Sequence, residues 1–153
     1  MTRTPLILLA TGGSLALLLG AFAFQYLGGL APCHLCLLQR WPHAAAVVIG
    51  TLALAFPGRL LPGLGALSAL TTAGLGLYHS GVEQKWWLGP DTCTSGNISN
   101  LSPEDLTNQL LATTTVVRCD EIAWAFANLS MASWNALLSL GLALLWLWAA
   151  RRS

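Results

Sequence analysis

Residues 6–26 (LILLATGGSLALLLGAFAFQY) form the first long apolar segment of this chain and decide its fold class. The segment contains no charged side chain. Its length matches the roughly 20 residues that an α-helix needs to cross the hydrocarbon core of a bilayer, which is about 30 Å thick. The sequence therefore predicts a membrane-spanning helix here.

The composition of the whole chain agrees with this prediction. Of 153 residues, 55% are apolar and 8% are charged, and the mean hydropathy is +0.64. A typical soluble domain has roughly 25% charged residues. Seven basic and six acidic side chains, with a net charge of +1, cannot cover a water-facing surface of this size. We therefore expect a lipid bilayer as surroundings, and neither a soluble enzyme, a disordered tail nor a nucleic-acid-binding protein.

Runs without charge define three further spans. The segments that contain no Asp, Glu, Lys or Arg are 41–58, 60–82 and 122–150. Together with the first segment they predict transmembrane helices over about 6–26, 36–56, 60–80 and 131–150. The second span is the weakest, because it must start near Cys36 and carry Arg40 close to its outer end. We predict an all-α fold, a four-transmembrane-helix bundle that makes residues 1–153 a single membrane domain.

The placement of charges predicts the orientation of this bundle. Four basic residues flank the spans with no acid nearby: Arg3, Arg59, Arg151 and Arg152. All six acids lie within 83–121, together with only two basic residues. The positive-inside rule then places both termini in the cytoplasm and the loops 27–35 and 81–130 outside.

The long outer loop contains one helix-start signal. Ser102 is a suitable N-cap, Pro103 suits the first helical position, and Glu104 and Asp105 complement the positive end of a helix dipole. This pattern predicts either a short helix on the membrane surface or a polar turn.

All four cysteines lie on the outer side of the predicted bundle. They are Cys33, Cys36, Cys93 and Cys119, and an even number in an oxidising compartment fits two disulfides. A C-x-x-C pair such as Cys33 and Cys36 closes a very small ring, which constrains the unfolded chain little. This favours a redox-active dithiol, with a structural disulfide or a metal site as alternatives. No metal site is predicted, because zinc usually needs a second closely spaced pair.

Arg40 lies one helical turn after Cys36 on the same face. An arginine just beneath the membrane surface costs a few kcal/mol unless it snorkels to the headgroups or has a partner. The functional alternative is that its charge stabilises a Cys36 thiolate and a carbonyl oxygen of a bound cofactor. Two electrons that leave a dithiol at this depth need a lipid-soluble acceptor, which a membrane quinone provides. His79, at the same level on the third span, is either a quinone-binding residue or a satisfied polar side chain.

Four motifs together resemble the bacterial disulfide bond formation protein B (DsbB) family. They are residues 32–40 (PCHLCLLQR), Tyr78-His79, residues 89–93 (GPDTC) and residues 119–121 (CDE). The resemblance covers nearly the whole chain. It implies a quinone-dependent protein-thiol oxidase of the bacterial inner membrane whose active site faces the periplasm.

The resemblance also implies an electron relay that supports disulfide bond formation in exported proteins. A reduced periplasmic thioredoxin-fold oxidase similar to DsbA would attack Cys93 of a Cys93–Cys119 disulfide, and Cys119 or Cys33 would resolve the product. Electrons would pass through a Cys33–Cys93 link to the Cys33/Cys36 pair. Cys36, with Arg40 and His79 nearby, would then reduce ubiquinone or menaquinone.

Two other functions remain as alternatives. A vitamin K epoxide reductase-like quinone reductase also couples dithiols to quinones, but such proteins usually place their C-x-x-C on a later helix. A non-enzymatic four-helix membrane protein with structural disulfides predicts two bridges that resist mild reductant.

Overall fold

The computed structural model describes residues 2–90 and 118–152. Within these ranges it contains four long helices: α1 (Arg3–Tyr26), α2 (His34–Ala55), α3 (Leu60–Glu83) and α4 (Met131–Arg151). A short antiparallel hairpin, β1 (Ala125–Phe126) and β2 (Leu129–Ser130), precedes α4. The predicted all-helical fold with four helices is confirmed. Cys93 and the predicted loop helix at Ser102 lie outside the described residues.

Three of these helices are long and apolar enough to cross a membrane, namely α1, α3 and α4. The helix α2 is not among them, because its first half carries Gln39, Arg40 and His43. That α2 also crosses the membrane, and that both termini lie in the cytoplasm, therefore stay predictions.

Two helices that approach the site begin at side-chain caps. The Sγ atom of Cys33 accepts a hydrogen bond from the backbone N–H of Cys36 at 3.2 Å, which starts α2. The hydroxyl of Ser130 accepts one from the backbone N–H of Ser133 at 3.2 Å, which starts α4. Caps of this kind satisfy backbone donors that have no partner within the helix. The Cys33 side chain is therefore both the N-cap of α2 and a free thiol.

The bundle packs through small residues. The helix α1 contacts α2 and α4, and α3 also contacts α2 and α4, so the four helices form a closed ring. Alanine dominates the buried positions, and Trp146, Leu6 and Ile7 are the largest apolar side chains that are fully buried in the main core. Small residues let helix backbones approach closely, which is how helices pack in a membrane.

Gly65 on α3 is required by this close packing. A Cβ atom at this position would lie 2.6 Å from Cδ2 of the buried Trp146 ring on α4. We therefore expect Gly65→Ala to lower the free energy of unfolding in detergent by about 1–3 kcal/mol, the usual cost of overpacking a core. Gly63 is the matched control, because a Cβ there would have no atom within 4 Å. Equal stability of the Gly65→Ala and Gly63→Ala variants would contradict this assignment.

Candidate active site

The C-x-x-C pair occupies the start of α2. Cys33 is buried, Cys36 in the first helical turn is half-buried, and both are free thiols. The hydrogen bond from the Cys36 N–H to the Cys33 sulfur folds the motif into a tight turn. The turn brings the two sulfurs to one side of the helix end, so the pair can open and close as a disulfide.

The third described cysteine lies beside this pair. Cys119 is fully buried and disulfide-bonded. Its Sγ atom, the Sγ atom of Cys33 and a ring nitrogen of His79 all lie within 4.8 Å of one another. The structure thus brings a thiol of one predicted pair next to a sulfur of the other. The predicted links of Cys93 to Cys119 and to Cys33 involve a residue outside the described ranges, and stay predictions.

An ion pair flanks Cys119 in the chain. The guanidinium of Arg118 donates two hydrogen bonds to the carboxylate of Asp120, from Nε at 2.9 Å and from Nη2 at 2.7 Å. These hydrogen bonds hold the pKa of Asp120 below its usual range. The bidentate contact joins the residues on either side of Cys119 and restrains the backbone around its disulfide.

The protonation of Cys33 differs from that of an ordinary thiol. Its pKa is raised, first because its side chain hydrogen-bonds to Cys36, then because Cys33 is buried and close to the charge that Cys36 can carry. A thiol with a raised pKa stays protonated at neutral pH and is a poor nucleophile. Burial and the neighbouring Cys36 therefore disfavour the thiolate form of Cys33.

His79 ends in the same cluster. Its Nε2 atom lies 3.6 Å from the Cys33 sulfur and 3.9 Å from Oε1 of Glu83, one helical turn further along α3. Its Nδ1 atom lies 3.0 Å from Nε2 of Gln39. The sequence analysis missed Glu83, although the i, i+4 spacing from His79 at the end of an apolar span was the available signal.

Arg40 points from α2 towards α1. Its Nη1 atom donates to Oε1 of Gln25 at 2.6 Å, its Nη2 atom donates to the backbone oxygen of Ala21 at 3.2 Å, and the guanidinium carbon lies 4.8 Å from the centre of the Phe22 ring. Its Nε atom is buried and has no hydrogen-bond partner within the described residues. Arg40 thus has partners on α1 and keeps one donor unused. Its predicted roles at the Cys36 thiolate and at a bound quinone stay predictions.

A cavity of about 450 Å³ connects these groups. Its apolar walls come from α1, α4 and the hairpin. The polar residues that line it include Cys33, Cys36, Gln39, Arg40, His43, His79, Glu83 and Asn135. Ligand sites in proteins are commonly such apolar clefts with a few converging polar groups. Four of the six predicted site residues (Cys33, Cys36, Arg40 and His79) line one cavity, and Cys119 lies beside it.

Polar side chains deeper in the bundle were not predicted as site residues. Gln39 and His43 on α2, Thr72 on α3 and Asn135 on α4 form one hydrogen-bonded cluster behind the cysteines. Polar side chains inside membrane segments are costly and usually functional. The sequence signal was the presence of Gln, His and Asn within otherwise apolar spans.

Comparison with known proteins places this arrangement in a family. The family model described as "Disulfide bond formation protein DsbB" matches residues 3–149, almost the whole chain. The chain belongs to the DsbB family. It is therefore a membrane protein of disulfide bond formation, and the oxidoreductase class follows from the family.

Individual relatives agree with the DsbB assignment. "Disulfide bond formation protein B" of Methylococcus capsulatus is 35% identical, and the alignment covers 90% of this chain and 89% of the relative. "Disulfide bond formation protein B 2" of Pseudomonas savastanoi pv. phaseolicola is 31% identical, and the alignment covers 95% of this chain and 87% of the relative. "Disulfide bond formation protein B" of Albidiferax ferrireducens is 28% identical, and the alignment covers 88% of this chain and 84% of the relative. No solved structure matches the chain.

Proposed function

We propose that this protein is a thiol oxidase of the bacterial inner membrane. It reoxidises a periplasmic dithiol oxidase similar to DsbA and passes the electrons through two cysteine pairs to a membrane quinone. One observation carries the proposal: the free thiol of Cys33 lies within 4.8 Å of the sulfur of Cys119, which is disulfide-bonded, beside a largely apolar cavity.

The first half of the relay uses thiol–disulfide exchange alone. A client thiolate attacks Cys93, opens a Cys93–Cys119 disulfide and releases Cys119 as a thiolate. Cys119 attacks Cys33 of an oxidised Cys33–Cys36 pair, which forms a Cys33–Cys119 disulfide and expels Cys36 as a thiolate. The short distance from Cys119 to Cys33 supports Cys119, rather than Cys93, as the attacking residue.

The second half restores both pairs. The second client thiol resolves the mixed disulfide and leaves with its own disulfide, which frees Cys93. The Cys93 thiolate then attacks Cys119 and releases Cys33. Cys33 and Cys36 next lose two electrons and two protons and become a disulfide again.

The residues around the cavity fit a quinone, either ubiquinone or menaquinone. A bound quinone supplies the acceptor for two electrons and two protons. The apolar walls suit its ring and tail, and the unpartnered buried Nε–H of Arg40 suits a carbonyl oxygen. Cys36 and Arg40 line the same cavity, one helical turn apart. His79 lines it too and completes the proposed quinone-binding set.

The test is anaerobic mixing of the detergent-purified protein with a reduced DsbA-like protein and ubiquinone, with menaquinone in parallel. We expect one quinone to be reduced for each client disulfide formed, measured by quinone absorbance and by thiol titration. A protein that reduces no quinone, and whose two cysteine pairs survive mild reductant, would instead be a structural membrane protein. Quinone reduction by a small dithiol but not by the DsbA-like protein would support the reductase alternative.

A further inference from the structure

A hydrogen-bonded chain of side chains runs from the cysteines into the bundle. Nδ1 of His79 lies 3.0 Å from Nε2 of Gln39. Oε1 of Gln39 lies 2.7 Å from Nδ2 of Asn135. The last hydrogen bond of the chain joins Oδ1 of Asn135 to Nε2 of His43, at 2.9 Å. The chain links two histidines, one beside the Cys33 sulfur and one deeper in the cavity wall.

Two backbone carbonyls fix the direction of every hydrogen bond in this chain. The side chain of Gln39 lies 3.1 Å from the oxygen of Leu35, and that of Asn135 lies 3.4 Å from the oxygen of Thr72. A carbonyl oxygen can only accept, so the amide nitrogens must be on these sides. The amide oxygen of Gln39 then faces Asn135, and the amide oxygen of Asn135 faces His43.

The first consequence concerns His79. The amide of Gln39 donates to Nδ1 of His79, so this nitrogen carries no proton and the ring is neutral with its hydrogen on Nε2. That N–H faces the Cys33 sulfur at 3.6 Å and the carboxylate of Glu83 at 3.9 Å. His79 is therefore a donor towards Cys33 and does not accept the thiol proton.

The second consequence concerns His43. Its Nε2 atom must donate to Oδ1 of Asn135, because that oxygen only accepts. The hydroxyl of Thr72 donates to the backbone oxygen of Gln39 and so offers only a lone pair to the same Nε2 atom. The proton of a neutral ring is thus on Nε2, and Nδ1 has a free lone pair. That Nδ1 atom is buried and has no hydrogen-bond partner within the described residues.

His43 is 4% exposed and lines the cavity. A buried acceptor without a donor costs free energy, unless a ligand supplies the donor. The carbonyl oxygens of an oxidised quinone cannot donate, whereas each hydroxyl of the reduced quinol can. Arg40, by contrast, offers only donors.

We propose that Nδ1 of His43 accepts a hydrogen bond from a hydroxyl of the bound quinol, and that Gln39 and Asn135 are positioning residues that hold His43 in the required tautomer. This inference rests on the proposed function, because it takes the cavity as the quinone site. Preferential binding of the quinol draws electrons from the cysteines, since a ligand shifts an equilibrium by its differential affinity for the two states.

The first test measures binding rather than turnover. In a Cys36→Ser background, which blocks electron exchange, short-chain ubiquinone and ubiquinol are titrated anaerobically. We expect His43→Phe to raise the Kd of the quinol about three- to tenfold, the value of one hydrogen bond, and to change that of the quinone by less than about twofold. His43→Gln keeps an acceptor and should retain the preference. The control is Thr51→Val, since Thr51 is exposed and its hydroxyl donates to the backbone oxygen of Val48 on its own helix.

The second test needs no variant at the histidine. Nitrogen NMR of the ¹⁵N-labelled native protein should show both His79 and His43 protonated on Nε2. In the Asn135→Leu variant, His43 should no longer be held in this single tautomer. An Nδ1-protonated His43, or a quinol Kd that His43→Phe leaves unchanged, would overturn the inference while the proposed function stands. If the native chain binds neither ubiquinone nor ubiquinol, the proposed function fails and the inference fails with it.

Discussion

Cys36→Ser is expected to reduce quinone-dependent turnover to below about one-thousandth of the native rate, the scale seen when a nucleophile is removed. In the proposed relay, the remaining Cys93–Cys119 disulfide can still oxidise one client molecule per protein. Cys33 alone cannot form a disulfide with the serine, so no electrons leave for the quinone.

A single-turnover experiment separates these two events. Client disulfide formation should show a burst of one equivalent and then stop, while the quinone absorbance stays constant. Leu37→Ser is the matched control, because Leu37 is the next residue on α2, is exposed, and does not line the cavity. Sustained quinone reduction by Cys36→Ser would show that another group passes the electrons on.

The apolar segments predicted most of the fold, because a helix in a bilayer is specified by length and hydropathy alone. The helix α2 corresponds to the weakest of the four predicted spans, and it is not among the helices apolar enough to cross a membrane. Its Gln39, Arg40 and His43 lower its hydropathy, and in the folded bundle these side chains bond to α1, α3 and α4 instead of facing lipid. In the sequence these residues stand out as polar side chains within an apolar segment. Their hydrogen-bond partners can be seen only in the packed structure.

Local spacing also accounts for the part of the site that the sequence predicted. Cys33, Cys36 and Arg40 lie within two helical turns, where the helix period alone puts their side chains together. The contact between Gln39 and Asn135 joins residues 96 positions apart. It depends on how α2 and α4 are rotated against each other, which hydropathy does not specify. The same holds for Cys119, whose place beside Cys33 follows from tertiary packing.

Arg40→Ala is expected to raise the KM for quinone about 10- to 100-fold, the range expected when a charge-assisted hydrogen bond is lost from a buried site. The KM for the client should stay unchanged, because in the proposed relay the client reacts with the cysteines and does not enter the cavity. Arg40→Lys should recover only part of the effect. A lysine keeps the charge but cannot reproduce the planar fork that bonds Gln25 and Ala21 and stacks on Phe22.

The comparison with a second arginine shows whether position or charge matters. Arg59 precedes α3 at the opposite end of the helix from His79, so Arg59→Ala removes the same charge far from the cavity. Steady-state kinetics are measured with the quinone and the client concentrations varied in turn. Only Arg40→Ala should change the kinetics, and only the KM for quinone should rise. If the client KM rises instead, Arg40 acts on the cysteine relay. If neither KM changes, its contacts with α1 serve packing only.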